Sequence, residues 1–313
     1  MNIQLINRSF LIFCFTSLVA FSTVADSFDF HAFSIQRFEV TRLDERTLQL
    51  RGNIVNGDYQ KFKAMFDSKV KVVRVSGGGG SAAEAVKMGL DLINSDVDVI
   101  IDGPCFSSCA NYHFLAGKNK TIVGDGFVGF HGSPWHGKVA ILGRNAVDAF
   151  IDQGKISASM QKQIDEERAR HPEYTNEFVT RQLVEVVRPM LRDEREFFQK
   201  TGVSPELINN SSYGRFAETV PECRSLYPLS TNEKSREPFF HVTQNKMREY
   251  GVTHLSGEQN WGLAIRFAQL SPRQRRDDGS PLFCVGATDA QDLSQTFSVI
   301  MEPAAASGEP SEE

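Results

Sequence analysis

The 313-residue sequence lacks several features that mark whole classes of protein. It has no basic tract and a formal charge of −5, so nothing points to nucleic acid or to an anionic membrane surface. Its glycine run is followed by no Lys-Ser or Lys-Thr pair and has no GxGxxG spacing, which disfavours a nucleotide loop. CFSSC lacks the two-residue spacing of a zinc ribbon and HGSPWH supplies only a loose histidine pair, so we expect no metal.

Long hydrophobic runs are also missing, apart from FLIFCFTSLVAF at 10–21, which is short for a membrane span. Arg8 precedes this run, and STVA follows it and ends on the small residue Ala25. This pattern predicts a secretory signal peptide over residues 1–25, cleaved after Ala25, and a periplasmic or secreted protein. The alternative is an uncleaved N-terminal segment that anchors the protein to the membrane.

Cysteine is scarce, with five residues, one of which, Cys14, lies in the predicted signal peptide. Four then remain in the mature chain: Cys105, Cys109, Cys223 and Cys284. An even number in an oxidising compartment favours two disulfides over free thiols or zinc. Of the three pairings, proximity in the sequence favours Cys105–Cys109 with Cys223–Cys284.

The order of apolar patterns predicts an α/β fold. Alternation over 34–55 indicates two strands, and helical and strand patterns then alternate with short links, as in βαβ units around a parallel sheet. The predicted elements are a helix at 57–68, a strand at 70–76, a helix at 81–95, a strand at 97–102 and a helix from 107. Residues 144–200 are predicted to be mostly helical, and 303–313 to be a disordered tail.

Four consecutive glycines, 77–80, follow the strand at 70–76. Glycine lets backbone N–H groups point at a carbonyl oxygen that gains charge, so this stretch could form an oxyanion hole. The alternative is a tight strand-to-helix turn that binds no ligand.

Two adjacent serines, Ser107 and Ser108, open the helix that follows the strand at 97–102. A serine in this position is commonly an N-cap. A nucleophile there would be stabilised by the helix dipole but would need a base, for which His131, at the end of an apolar strand, is the candidate. We expect Ser107 to be the cap and Ser108 the reactive residue.

The segments LQLRGNIV, VVRVSGGGGSAAEAVKMG, GPCFSSCANYHFLAG and GFVGFHG, in this order, resemble the Clp protease proteolytic subunit and the crotonase-like superfamily. They are most similar to exported bacterial proteins related to that peptidase. The resemblance covers about residues 46–135 and resumes at KTGVSPELIN and MREYGVTHL. It implies a spiral of ββα units with added helices over 26–255, followed by a C-terminal extension at 256–302.

The resemblance also implies site residues. The serine nine positions before the glycine of the family's Ala-Gly pair falls on Ser108, and the base falls on His131. The oxyanion donors fall on the backbone of Gly79 and of Cys109. The family's third residue, an aspartate, has no counterpart, and Asn210 takes its place. An asparagine stabilises an imidazolium less than a carboxylate does, so Glu206 or another carboxylate is an alternative.

The implied activity is that of an exported serine hydrolase, a peptidase acting on a peptide or protein without a cofactor. The missing aspartate favours an alternative, a non-catalytic module that binds a peptide or protein in the retained cleft. Crotonase-like chemistry on a coenzyme A thioester fits poorly with export, because that cofactor is cytoplasmic. Assembly as a homo-oligomer is left open.

Overall fold

The structure, a computed structural model, describes residues 33, 36–130, 132–208, 239–241, 244–260, 263–264 and 285–287. The strands are β1 (Glu39–Arg42), β2 (Thr47–Ile54), β3 (Val72–Gly80), β4 (Asp98–Phe106), β5 (Lys120–Ile122), β6 (Phe127–Gly129), β7 (Phe239–His241), β8 (Leu255–Gly257) and β9 (Val285–Ala287). With the helices given below, they confirm the predicted α/β fold class with added helices.

Seven strands form the main sheet, in the order β1-β2-β3-β4-β5-β8, with β6 also paired to β4. Only β1 is antiparallel to its neighbour in this sheet. Strand β4 pairs with β5 along Val99–Ile101 and with β6 along Pro104–Phe106. Its C-terminal end therefore has β3 on one side and β6 on the other, and the two serines follow directly after it.

Alternation of apolar residues explains which face of the sheet is buried. Leu48 and Leu50 of β2 and Val73 and Val75 of β3 are buried on the helix-covered face, as are Val99 and Ile101 of β4. The opposite face carries charged side chains, where Arg51 and Arg74 both pair with Asp102.

The glycine run lies in a strand rather than in a turn, which corrects the predicted end of the strand at residue 76. Strand β3 continues through Gly80, and its last residues pair with Asn53 and Ile54 of β2. The strand pattern weakens at glycine because no side chain contributes to it, yet the backbone continues to pair.

The α-helices are α1 (Asp58–Met65), α2 (Ala82–Asn94), α3 (Pro134–Leu142), α4 (Arg144–Gln153), α5 (Ala158–Arg170), α6 (Asn176–Gln182), α7 (Arg188–Thr201) and α8 (Gln244–Glu249). The described residues also form two π-helices, π1 (Cys109–Phe114) and π2 (Leu183–Val187), and a 3₁₀ turn (Pro205–Leu207). The helical prediction for 144–200 is confirmed. A second apolar core, around Trp135, Phe150 and Leu191, is formed by helices α3, α4, α5, π2 and α7.

Several predictions concern residues outside the described ones, namely the signal peptide at 1–25, the tail at 303–313, and Cys223 and Cys284. Strands β7 and β9 pair in parallel, as a separate two-stranded sheet. The domain boundary after residue 255 stays a prediction. None of the described helices combines the length and the apolar character needed to cross a bilayer.

Close packing of α2 against α7 depends on Gly89. A Cβ on Gly89 would lie 2.8 Å from the Phe197 ring and 2.9 Å from the carbonyl oxygen of Tyr112. We expect Gly89→Ala to lower the free energy of unfolding by about 1–3 kcal/mol, since overpacking outweighs the better helix propensity of alanine. Urea denaturation measures this change.

Phe197→Leu serves as the matched control, because it removes the ring that the new methyl would meet. The double variant should lose less stability than the sum of the two single losses. Additive losses would contradict a clash between the new methyl group and the Phe197 ring.

Candidate active site

The chain turns sharply between β4 and π1, at the two serines. Ser107 has a φ of +55°, in the left-handed region that a residue with a side chain rarely adopts. Its N–H donates to the carbonyl of Gly129 at the end of β6 (3.0 Å), and its own carbonyl accepts from the N–H of Asn111 (2.7 Å). Such a conformation costs about 1–3 kcal/mol and persists because its surroundings hold it, commonly at functional sites.

Gly79 of β3 packs directly against this turn. A Cβ on Gly79 would lie 2.5 Å from the Cβ of Ser107 and 2.7 Å from the amide nitrogen of Ser108, and the residue has a φ of +88°. Only glycine combines this backbone angle with such a close approach. The glycine run thus lets β3 reach the serine turn.

The two serines have different environments. Ser108 is 3 % exposed, and its hydroxyl donates to the carbonyl of Gly80 at 2.9 Å. Ser107 is partly exposed. Ser107 is therefore the less buried of the two serines, while Ser108 ties the start of the helix to β3.

In the sequence, the reactive serine is located by counting nine positions back from Gly117 of the Ala116-Gly117 pair, and the π-helical geometry of π1 bears on this count. A π-turn closes its hydrogen bond from i to i+5 and so holds one residue more than an α-turn. Ser108 lies nine positions before Gly117, and Ser107 lies ten. Because π1 (Cys109–Phe114) holds such an extra residue, counting back from Gly117 does not by itself distinguish the two serines.

A disulfide joins the two sides of the serine turn. The sulfurs of Cys105, in β4, and Cys109, in π1, are bonded at 2.04 Å, and both residues are buried. The first of the two predicted disulfides is confirmed. It encloses Phe106, Ser107 and Ser108 in a short covalent loop and so restricts how far the turn can open.

The other predicted site residues are not all described. His131 and Asn210 lie outside the described residues, so their predicted roles stay predictions, as do the oxyanion roles of Gly79 and Cys109. Glu206, the carboxylate named as an alternative to Asn210, is exposed in the 3₁₀ turn.

Glu194 on α7 is a candidate that sequence reasoning missed. Its side chain is buried, at 1 % exposed, and its Oε2 accepts from the N–H of Trp135 at 3.1 Å. Burial raises the pKa of its carboxyl to about 7, against hydrogen bonds from Ser133, Trp135 and Tyr112 that lower it. One signal was available, since Glu194 lies three residues from both Leu191 and Phe197, on the apolar side of an amphipathic helix.

His113 of π1 is also buried, and among the described residues its Nε2 has no hydrogen-bond partner. Burial lowers the pKa of its imidazole to about 4. His113 is therefore a neutral core residue.

A cavity of about 290 Å³ lies among helices α3 to α7 and is lined mainly by apolar side chains, with Lys138 and Arg170 among the polar ones. None of its lining residues belongs to the serine turn or to β3. Within the described residues, no group of three or more histidine, cysteine or carboxylate side chains could hold a metal ion.

Comparison with known proteins identifies no family. No family model matches the chain, and no curated protein matches it. Similar solved structures include ThnE from S. clavuligerus (16% identity, 52% of this chain and 99% of that chain, TM-score 0.24). Another is a putative enoyl-CoA hydratase/isomerase from Novosphingobium aromaticivorans (12% identity, 73% and 98%, TM-score 0.27). An enoyl-CoA hydratase from Mycobacterium avium subsp. paratuberculosis is also similar (15% identity, 56% and 90%, TM-score 0.24). TM-scores this low assign neither a family nor an activity to this chain.

His113 should make the protein less stable in acid. The unfolded chain takes up the imidazole proton below about pH 6.5, whereas the folded protein takes it up only near pH 4, so stability falls as pH drops through this window. The loss attributable to His113 is about 3 kcal/mol at pH 4. Urea denaturation from pH 7 to 4 should show a smaller acid loss in His113→Gln than in the wild type. Equal losses in both proteins would contradict this assignment.

Proposed function

We propose that this protein is a serine hydrolase and that Ser107 is its nucleophile. The proposal depends on the left-handed backbone of Ser107 at the junction of β4 and π1, where this residue is only partly buried. The nucleophilic serine of α/β-hydrolases sits on a strained strand-to-helix turn of this kind, which presents its hydroxyl outward. Ser108, which the sequence favoured as the nucleophile, is buried, and its hydroxyl donates a hydrogen bond to the carbonyl of Gly80.

His131 is the proposed base, and the contacts of Ser107 support this pairing. The N–H of Ser107 donates to the carbonyl of Gly129, and His131 follows Gly129 by two residues in the sequence. The segment that leads to His131 is therefore hydrogen-bonded to the nucleophile residue itself. In the proposed reaction, His131 takes the proton of the Ser107 hydroxyl as its oxygen attacks a carbonyl carbon, then donates it to the leaving group. Water, activated by the same histidine, hydrolyses the acyl-enzyme.

The change of proposed nucleophile also changes one proposed oxyanion donor. Because Ser107 replaces Ser108 as the nucleophile, the residue after it is Ser108, and the backbone amide of Ser108 replaces that of Cys109 as the donor. The amide nitrogen of Ser108 borders the space that a Gly79 side chain would occupy, so the backbones of Gly79 and Ser108 face each other without an intervening group. One oxyanion donor commonly contributes about 3 kcal/mol to transition-state stabilisation. Peptide-bond hydrolysis in an exported protein, with Asn210 or another group orienting His131, remains the preferred reaction.

Fluorophosphonate labelling of the oxidised protein tests the proposal, because this reagent modifies activated serines. We expect the wild type and Ser108→Ala to be labelled and Ser107→Ala not to be. Ser108→Ala should also lose about 1 kcal/mol of stability, since it removes a buried hydrogen bond. Labelling that is lost only in Ser108→Ala would show that Ser108, and not Ser107, is the nucleophile. A folded wild type that takes no label would favour the non-catalytic binding module.

The strain at Ser107 gives a second, independent prediction. Ser107→Gly should be more stable than Ser107→Ala by about 1 kcal/mol, because glycine adopts a positive φ without steric cost. Thermal or urea unfolding measures the difference. Equal stability of the two variants would mean that the turn stores no strain.

A further inference from the structure

The buried carboxyl of Glu194 lies between the two segments that carry the proposed catalytic residues. On one side it faces Tyr112 of π1, the helix that begins directly after Ser107 and Ser108. On the other side it accepts from the backbone N–H of Trp135 and from the hydroxyl of Ser133, which follow His131 by four and two residues. Glu194 itself is on α7, far from both segments in the sequence.

Packing of α7 does not require this carboxyl. Phe197 packs edge-to-face on Tyr112, with ring centroids 5.6 Å apart, and Leu191 is buried in the core of the helical region. Arg195 pairs with Asp152 of α4 on the outer face of α7. A buried carboxyl costs free energy unless its oxygens are fully hydrogen-bonded, and among the described residues the Oε1 of Glu194 has no such partner. Because apolar packing already holds α7 in place, the free-energy cost of burying the Glu194 carboxyl indicates that this residue has a role other than packing.

We infer that Glu194 is a positioning residue that holds the helix following the nucleophile at a set distance from the segment carrying His131. This inference rests on the proposed function for its catalytic meaning. The physical coupling of the two segments through one carboxyl can be measured separately. An ionised carboxylate accepts from the Trp135 amide and the Ser133 and Tyr112 hydroxyls more strongly than a neutral carboxyl does.

The charge of Glu194 changes near neutral pH, because burial raises its pKa to about 7. Tyr112 is the titratable group that faces it from π1, and its own pKa is raised by burial and by Glu194. The α3 side contributes the neutral Ser133 hydroxyl and the Trp135 amide. The charged neighbours on α7 have other partners, since Arg195 pairs with Asp152 and Asp193 interacts with Lys87. Above about pH 7 the carboxylate is ionised, so the link between the two segments is strongest there.

Hydrogen–deuterium exchange tests the coupling without any need for activity. Glu194→Ala should speed amide exchange both in π1 and in 133–142. Asp58→Ala, which removes another fully buried carboxyl, should change exchange only around α1. If Glu194→Ala does not fold, Tyr112→Phe replaces it and should speed exchange in 133–142, although it alters only π1. Unchanged exchange in 133–142 in the folded variant would overturn the inference.

Labelling kinetics test the catalytic meaning. Glu194→Gln should react with fluorophosphonate about ten- to a hundredfold more slowly than the wild type at pH 8, with its melting temperature retained. Between about pH 7 and pH 5 the wild-type rate should fall more steeply with decreasing pH than the rate of the variant, because only the wild type also loses the Glu194 carboxylate. Glu194→Asp should recover part of the rate. A wild-type rate and slope in Glu194→Gln would overturn the catalytic role.

The two proposals fail in different ways. If the wild type takes no label, the proposed function fails, while the exchange experiment still decides whether Glu194 couples the segments. If the wild type is labelled at Ser107 but Glu194→Gln matches it, the hydrolase proposal stands and the positioning role falls.

Discussion

The close approach of β3 to the turn between β4 and π1 is the constraint on which the rest of the site depends. Gly79 meets Ser107 and Ser108 with no room for a Cβ, and the left-handed Ser107 keeps its hydrogen bonds to Gly129 and Asn111 within this crowded junction. A side chain on Gly79 would push the turn away from the strand. The sheet, whose parallel strands end together at this edge, brings both pieces to the same place.

Three restraints hold the turn against the strain in its backbone. The Cys105–Cys109 disulfide closes it covalently, the Ser108 hydroxyl ties the helix start to Gly80, and β6 pairs with the end of β4. Each acts on a different side of Ser107. Strain of a few kcal/mol needs such surroundings to persist.

Much of the fold followed from local patterns, and particular residues show where those patterns stopped being informative. Alternating apolar residues located β2, β3 and β4, and the spacing of the cysteines indicated the disulfide at the serine turn. The run 77–80 carries no side-chain pattern, so its strand character was missed. Six residues of π1 are too few to distinguish a π-helix from an α-helix by their pattern, so its extra residue was not predicted. Glu194 was not predicted as a candidate residue because its burial depends on contacts with α3 and π1, which are distant from it in the sequence.

The sequence by itself determined the α/β class, the order of its elements, the position of the serine turn and the cysteines that close it. These properties arise from the periodicity of apolar residues and from short-range covalent geometry, which act over a few residues. Only the tertiary structure decided which serine is less buried, that the glycines extend a strand and that a buried carboxyl contacts two remote segments. Exposure, close approach and buried hydrogen bonds are properties of pairs of segments, and no local pattern of residues encodes them.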